Sequence, residues 1–439
     1  MRDGKGRDEG CDMLISQCPR EIRTGSCSST KPAPSVLAVT SELPWPLNTG
    51  GHLRTFHLLR SLAARFRVRL VIAGSPGLEE GIEVLREHGV EVTPATVAPR
   101  TTAREVLRAA TAAARGEPYV LYRRHDRRGV RLAIQRQMHR ERPDLLYLDH
   151  LDSLLYRNAA HDVPTIVDLH NIYSELVRRS ALEQPSTAKR RYLLRESRLL
   201  IGSERRAGQL ANALFTVSEG DNAYFRSLGA RSTYVVPNGV DCKSYAGLPA
   251  GRHSSTPKLL YLGCLSWGPN AAAADYLAKQ ILPRVREAIP CVELLIVGRD
   301  PTEAVRALEQ LPGVVVAGNV PDVRPYLQKA SALAVPLEAG GGTRLKILEA
   351  FSAGLPVVST PVGCEGLDAS PGEHLIVADR THFAEAIVGL LKNPLTGERL
   401  AARARYFVNQ RFDWEAIGDS ACTAVEAVIR AKTERAMRG

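Results

Sequence analysis

The stretch PLEAGGGTRLKILEAFSAGLPVVST, residues 336–360, decides how the rest of the chain is read. An apolar run ends in three consecutive glycines, Gly340, Gly341 and Gly342, and a helix-like segment carrying Arg344, Lys346 and Glu349 follows at once. Glycine lets backbone approach a ligand closely, and its entropic cost makes three in a row hard to explain as filler. Lys346 and Glu349 are three residues apart and Gly342 lies four before Lys346, so all three share one helical face. A lysine near a helix N-terminus opposes the helix dipole unless an anion is present. A carboxylate one turn later suits the two hydroxyls of a ribose. The combination asks for a nucleoside diphosphate; the plain alternative is a glycine-rich turn with surface charges.

Working outward, apolar strand-like runs alternate with amphipathic helix-like segments along the whole chain, the pattern of parallel sheets covered by helices. The first half offers SVLAVT (35–40), VRLVIAG (68–74), VEVTPATV (90–97), LLYLDHL (145–151), TIVDLH (165–170), ALFTVS (213–218) and TYVVPNGV (233–240). The polar segment AGLPAGRHSSTPK (246–258) interrupts the alternation. It restarts with LLYLG (259–263), VELLIVG (292–298), VVVAG (314–318), ALAVPL (332–337) and PVVST (356–360). The expected class is α/β, with two Rossmann-like domains facing each other across a cleft. Residues 33–245 would form the first, 246–258 a linker and 259–415 the second, with 416–439 as a C-terminal helix crossing back to the first domain. Residues 1–32 lack the apolar core of a secretory signal and are expected to be a disordered leader.

With 439 residues, 44% hydrophobic and 24% charged, the chain has the composition of an ordinary multidomain globular protein. No apolar run approaches the roughly 18 residues that suggest a membrane span, so a cytoplasmic location is expected. Its eight cysteines lack the paired spacing of a zinc site. The net charge of +11 is localised. Residues 100–142 hold twelve arginines against four carboxylates, and 178–206 hold eight arginines and Lys189 against three. Such a basic half suits an anionic membrane, a phosphorylated acceptor or nucleic acid, or is a solvated surface.

Ligands of doubly wound sheets sit outside the carboxyl ends of the strands. The loop after SVLAVT carries Gly50 and Gly51 at a helix start, where free backbone amides meet phosphate or sugar oxygens. The loop after TIVDLH carries His170, able to donate a hydrogen bond or take a proton.

NTGGHLRTFHLLRSLA (48–63), VPNGVD (236–241), LLYLGCLSWGPNAAAADYL (259–277), ELLIVGRDP (293–301), VVVAGNVPDVRPYL (314–327) and above all KILEAFSAGLPVV (346–358) resemble glycosyltransferase family 4, retaining enzymes of the GT-B fold. The resemblance implies a hexosyltransferase in which Glu349 holds the donor ribose and His170 sits beside the reacting sugar. It also implies that Gly50, Gly51, Asn238, Ser266, Val320, Gly340, Gly341, Gly342, Thr343 and Arg344 border the nucleotide sugar. Two departures stand out. Many relatives carry a glutamate eight residues before the one matching Glu349, where this chain has Gly341; and many carry an arginine and a lysine after the first strand of the second domain, where this chain has Ser266, Trp267 and Asn270. Lys346, with Arg344, is then the nearest source of positive charge for the departing diphosphate.

The resemblance further implies a front-face, retaining transfer to a glycan, lipid-linked or small-molecule acceptor, with VPNGVD as hinge and contact with an anionic inner membrane face as an option. No cofactor or divalent metal is expected, because no Asp-x-Asp-like or histidine-rich cluster is visible at a strand end. Two rivals stay open: a nucleotide-sugar epimerase of the same fold, and a basic nucleic-acid-binding protein, against which stands the lack of a recognised binding motif.

Overall fold

The computed structural model describes residues 33–160, 162–182, 184–247, 256–339 and 344–438. Two wholly parallel sheets organise them. The first contains β1 (Ser35–Val39), β2 (Arg67–Ala73), β3 (Val90–Ala95), β4 (Leu145–Asp149), β5 (Thr165–Leu169), β6 (Ala213–Thr216) and β7 (Thr233–Val235), in the order β3-β2-β1-β4-β5-β6-β7. The second contains β8 (Lys258–Cys264), β9 (Glu293–Arg299), β10 (Val314–Gly318), β11 (Ala332–Val335), β12 (Val357–Ser359) and β13 (Ile376–Val377), in the order β10-β9-β8-β11-β12-β13. Strands covered by helices on both faces must be apolar on both, which is why SVLAV and LLYLD are buried at every position.

In each sheet the order reverses once, between β1 and β4 and between β8 and β11. A crevice opens where neighbouring strands send their connections to opposite faces. The loops after β1 and β4, and those after β8 and β11, are therefore the ones that bracket a ligand.

The chain passes between the sheets twice, and the two passages lie side by side. Val240 N donates to Phe412 O at 2.8 Å and Trp414 N to Val240 O at 3.3 Å. Beyond the second passage, the helix Trp414–Arg438 returns to the first sheet, where Trp414, Ile417, Cys422, Val425 and Val428 join the core built on β1, β2 and the helix Gly50–Ala63. Trp414 stacks on His57 of that helix at 4.9 Å between ring centres. Desolvation holds the His57 imidazole down at about 4, so it packs as a neutral ring.

Candidate active site

Helix Gly50–Ala63 follows β1. Thr49 caps it, its hydroxyl accepting from His52 N at 3.1 Å. The helix Leu345–Ser352 follows β11, with Arg344 at its cap position. Gly340, Gly341, Gly342 and Thr343 lie outside the described residues. The two helix starts meet: a Cβ on Gly50 would stand 3.0 Å from Leu345 Cδ1. A larger residue at position 50 would press on the tip of the Leu345 side chain. Two sets of N-terminal amides and two positive dipole ends thus face one space, an arrangement that favours an anion.

Lys346 lies in the first turn of its helix, the position where a cation opposes the dipole. Its Nζ donates to Asn270 Oδ1 at 3.0 Å and Tyr261 Oη at 3.4 Å, and sits 4.4 Å from the centre of the Tyr261 ring. Asn270 is fixed in turn by Tyr261 Oη at 2.8 Å and by its own amide to Cys264 O at 3.0 Å. Burial, and then nearby Arg344, pull the Lys346 ammonium down to about 7. Burial pushes Glu349 up to about 7, with Lys346 opposing. Both groups are costly in their charged forms until something charged or hydrogen-bonding arrives. Glu349 borders a cavity of about 340 Å³ shared with Leu53, Arg60, Asp241, Tyr245 and Trp414, beside the passages between domains.

The remaining sequence candidates are spread around this centre. Arg344 is buried, and its Nη2 donates to Val362 O at 3.0 Å, so it braces the following loop. Ser266 is exposed at the end of β8, its hydroxyl 3.2 Å from Cys264 Sγ. Val320 packs half-buried against the second core. Asn238 Oδ1 accepts from Arg54 at 3.3 Å, on the passage between domains. Glu338 pairs with Arg380, which lies over Tyr276 at 3.5 Å from the ring centre.

The first domain contributes a network that sequence reasoning touched only at His170. Asp149, at the end of β4, accepts on Oδ1 from His170 Nε2 at 2.9 Å. Its Oδ2 accepts from Thr40 at 2.8 Å, Thr55 at 3.0 Å and His150 Nδ1 at 2.8 Å. Burial would raise this carboxyl, but the two imidazoles and their hydrogen bonds outweigh it and hold Asp149 well below the usual range. Burial likewise works against the His150 imidazolium, yet Asp149 lifts it to about 9. One layer deeper, Asp168 takes Arg54 Nη2 at 2.6 Å, Arg54 Nε at 3.0 Å and Tyr147 Oη at 2.6 Å. Arg54 also donates to Val236 O at 2.7 Å, tying the helix to the start of the first passage. Asp168 is fully buried, which alone would raise it; Arg54 and His170 bring it down to about 2.

Two family models match the sequence: "Glycosyltransferase Family 4" over residues 48–244 and "Glycosyl transferases group 1" over residues 256–393. The chain belongs to glycosyltransferase family 4. Among curated family relatives, a phosphatidyl-myo-inositol mannosyltransferase of Mycobacterium leprae is 31% identical over 204 residues, which cover 44% of this chain and 53% of that protein. The chain thus spans about half the length of that relative. Solved structures agree on the GT-B fold. Anabaena Alr3699/HepE in complex with UDP-glucose superposes with a TM-score of 0.63 at 16% identity, covering 90% of this chain and 99% of the other. The sucrose-phosphate synthase of Thermosynechococcus elongatus gives 0.65 at 18% identity, covering 91% and 100%.

In this family 4 chain one cluster does stand at strand ends where none was expected: Asp149, His150 and His170 offer three atoms within 4.8 Å of one another. Asp149 binds both imidazoles and two hydroxyls, so the three residues form one hydrogen-bonded triad.

Proposed function

We propose that the chain is a metal-independent, retaining hexosyltransferase that moves a sugar from a nucleoside-diphosphate donor to an acceptor bound by the first domain. The observation that carries this is the meeting of the helix starts at Gly50 and Leu345, with Lys346 beside them. The leaving diphosphate gathers negative charge as the glycosidic bond breaks, and fixed amides with a desolvated ammonium stabilise that charge better than water does. Glu349 would accept from the ribose hydroxyls, and His170, locked by Asp149, would orient the sugar. In a front-face route the diphosphate oxygen itself takes the acceptor's proton, so no carboxylate nucleophile is needed. Bending at the paired passages would close the domains and exclude the water that would hydrolyse the donor.

A cavity of about 520 Å³ lined by Asn171, Glu175, Arg179, Ser218, Glu365 and Arg411 opens beside His170 and offers room for the acceptor. Incubation with a panel of nucleotide sugars and glycan, lipid-linked and small-molecule acceptors, with NMR of the product anomer, tests the reading. The expected product keeps the donor's configuration, and turnover persists in a chelator. Inversion, or activity abolished by the chelator and restored by magnesium, would contradict it.

Glu349→Ala should weaken nucleoside diphosphate binding by about 1.5–3 kcal/mol, the value of hydrogen bonds to a charged group. Glu349→Gln should at the same time raise the melting temperature of the ligand-free protein. A carboxyl raised from 4.5 to about 7 by folding holds its proton in the folded state while the unfolded chain has already lost it, which penalises the folded state. The gain should therefore be absent in acid, grow as pH rises from about 4.5 to about 7, and stay level above that. Unchanged affinity by calorimetry would remove Glu349 from the donor site.

For the acceptor we favour a molecule at an anionic lipid surface. The two arginine-rich windows adjoin: Tyr119 N and Val120 N donate to Glu196 Oε2 at 2.6 and 2.9 Å, joining residues 100–142 to the helix Thr187–Leu210. Val106 and Leu107 stand 64% and 67% exposed among these arginines. Each arginine near an anionic leaflet adds about 1 kcal/mol of attraction. Among the described residues no helix is long and apolar enough to cross a membrane, so contact would be peripheral. Co-sedimentation with anionic but not neutral vesicles, lost at high salt, is expected; equal binding to both kinds would exclude the electrostatic mode.

A further inference from the structure

His150 is the residue directly after β4, at the reversal point of the first sheet, and it has no counterpart among the residues that the resemblance singles out. Its backbone is left-handed, with φ of 68°. That conformation is uncommon for a residue with a side chain and is kept only where the surroundings enforce it. Here His150 N donates to Asp168 O at 3.0 Å, while Nδ1 is bound by Asp149 Oδ2 at 2.8 Å. The ring lies against that of His170, centres 3.8 Å apart and planes at 38°.

With Nδ1 committed to Asp149, Nε2 is left to face outward. A methyl group placed on Gly51 would stand 3.8 Å from His150 Nε2 and 3.8 Å from His170 Nδ1. Both rings thus aim a nitrogen at the start of helix Gly50–Ala63, where the free amides are. His170 is 6% exposed and His150 is 24% exposed, so His150 is the one of the pair that reaches the cleft.

Resting on the donor site argued above, we propose that His150 is a substrate-contacting residue, donating from Nε2 to the diphosphate of the nucleotide sugar from the first-domain side. The need for it is visible in the second domain. Ser266, in the loop after β8, and Asn270, in the helix Gly268–Tyr276 that follows, stand where the family resemblance implies cations, and Lys346 is held by Asn270 and Tyr261. Arg54 is 1% exposed and committed to Asp168. An imidazole bonded to Asp149 and lying over the helix start adds positive charge from the first-domain side to what Lys346 supplies from the second. The strained backbone fixes the ring's direction, which a relaxed loop residue would not do.

His150→Asn is the informative variant, because asparagine tolerates the left-handed region and keeps a donor for Asp149. Calorimetry with UDP and GDP, set against UMP and GMP, reads the contact. The diphosphates should lose about tenfold or more in affinity, as for loss of a hydrogen bond to a charged group, while the monophosphates stay unchanged. In turnover, kcat should fall with the acceptor KM unaltered. A merely structural role would weaken mono- and diphosphates alike. If His150→Asn melts early, His150→Gly, which relieves the backbone strain, replaces it. Wild-type protein that binds neither UDP nor GDP would overturn the donor site itself and this proposal with it. Wild-type binding matched by the variants, or a loss confined to acceptor KM, would overturn the role of His150 alone.

Discussion

Arg54→Met should cost about 3–5 kcal/mol of folding stability, the penalty for leaving one partner of a buried ion pair uncompensated. Asp168 is fully buried and takes two nitrogens of Arg54; Tyr147 alone cannot replace them. Val236 O would lose its 2.7 Å donor as well, so the start of the first interdomain passage would loosen. The pH dependence carries a sign. In the wild type Asp168 is held down to about 2, so its contribution is complete above its unfolded value and is lost only as pH falls through 2. In the variant, burial without Arg54 raises the same carboxyl, so the deficit should be largest near neutrality and shrink in acid. Chemical denaturation at about pH 7 and about pH 4 reads both effects. Arg54→Met/Asp168→Leu should recover much of the loss, since replacing both partners removes the stranded charge. A single variant within about 1 kcal/mol of wild type would mean that the pair is dispensable.

This pair also shows where sequence reading stops. Arg54 occurs in NTGGHLRTFHLLRSLA, where an arginine among apolar residues looks like the edge of an amphipathic face. Its partner is 114 residues away on a strand that the sheet order brings alongside. His150 was hidden for the same reason: LLYLDHL reads as a strand with a polar end, and its meaning depends on β4 lying between β1 and β5. The alternation of strands and helices was legible because it is local, set by apolar runs buried on both faces. Lys346 and Glu349 were legible because a charged helix start after a strand is local too. Asn270 was visible only as a departure from the family pattern, and its bond to Lys346 gives that departure a physical content.

Lys346→Met should lower kcat by about 100- to 1,000-fold, the range for removing one preorganised group that stabilises developing charge. Its donor KM should change far less, because charge on the diphosphate grows as the bond breaks. A rise in KM with kcat intact would assign Lys346 to ground-state binding instead. The ammonium's lowered value, about 7, allows a second and independent reading. At about pH 8 the ligand-free lysine is largely neutral, and an arriving diphosphate pulls its value back up, so binding must draw a proton from solution. Glu349, raised to about 7, is already mostly ionised at that pH and releases little to mask the uptake. Calorimetry of nucleoside diphosphate binding in two buffers of different ionisation enthalpy should show that uptake in the wild type and none in Lys346→Met. Below about pH 7 the balance reverses, because Lys346 is then charged beforehand while Glu349 has a proton to give up when it meets the ribose. Net uptake should therefore decline through neutrality and turn to release in acid. Binding without any exchange of protons across that range would mean that neither group meets the ligand.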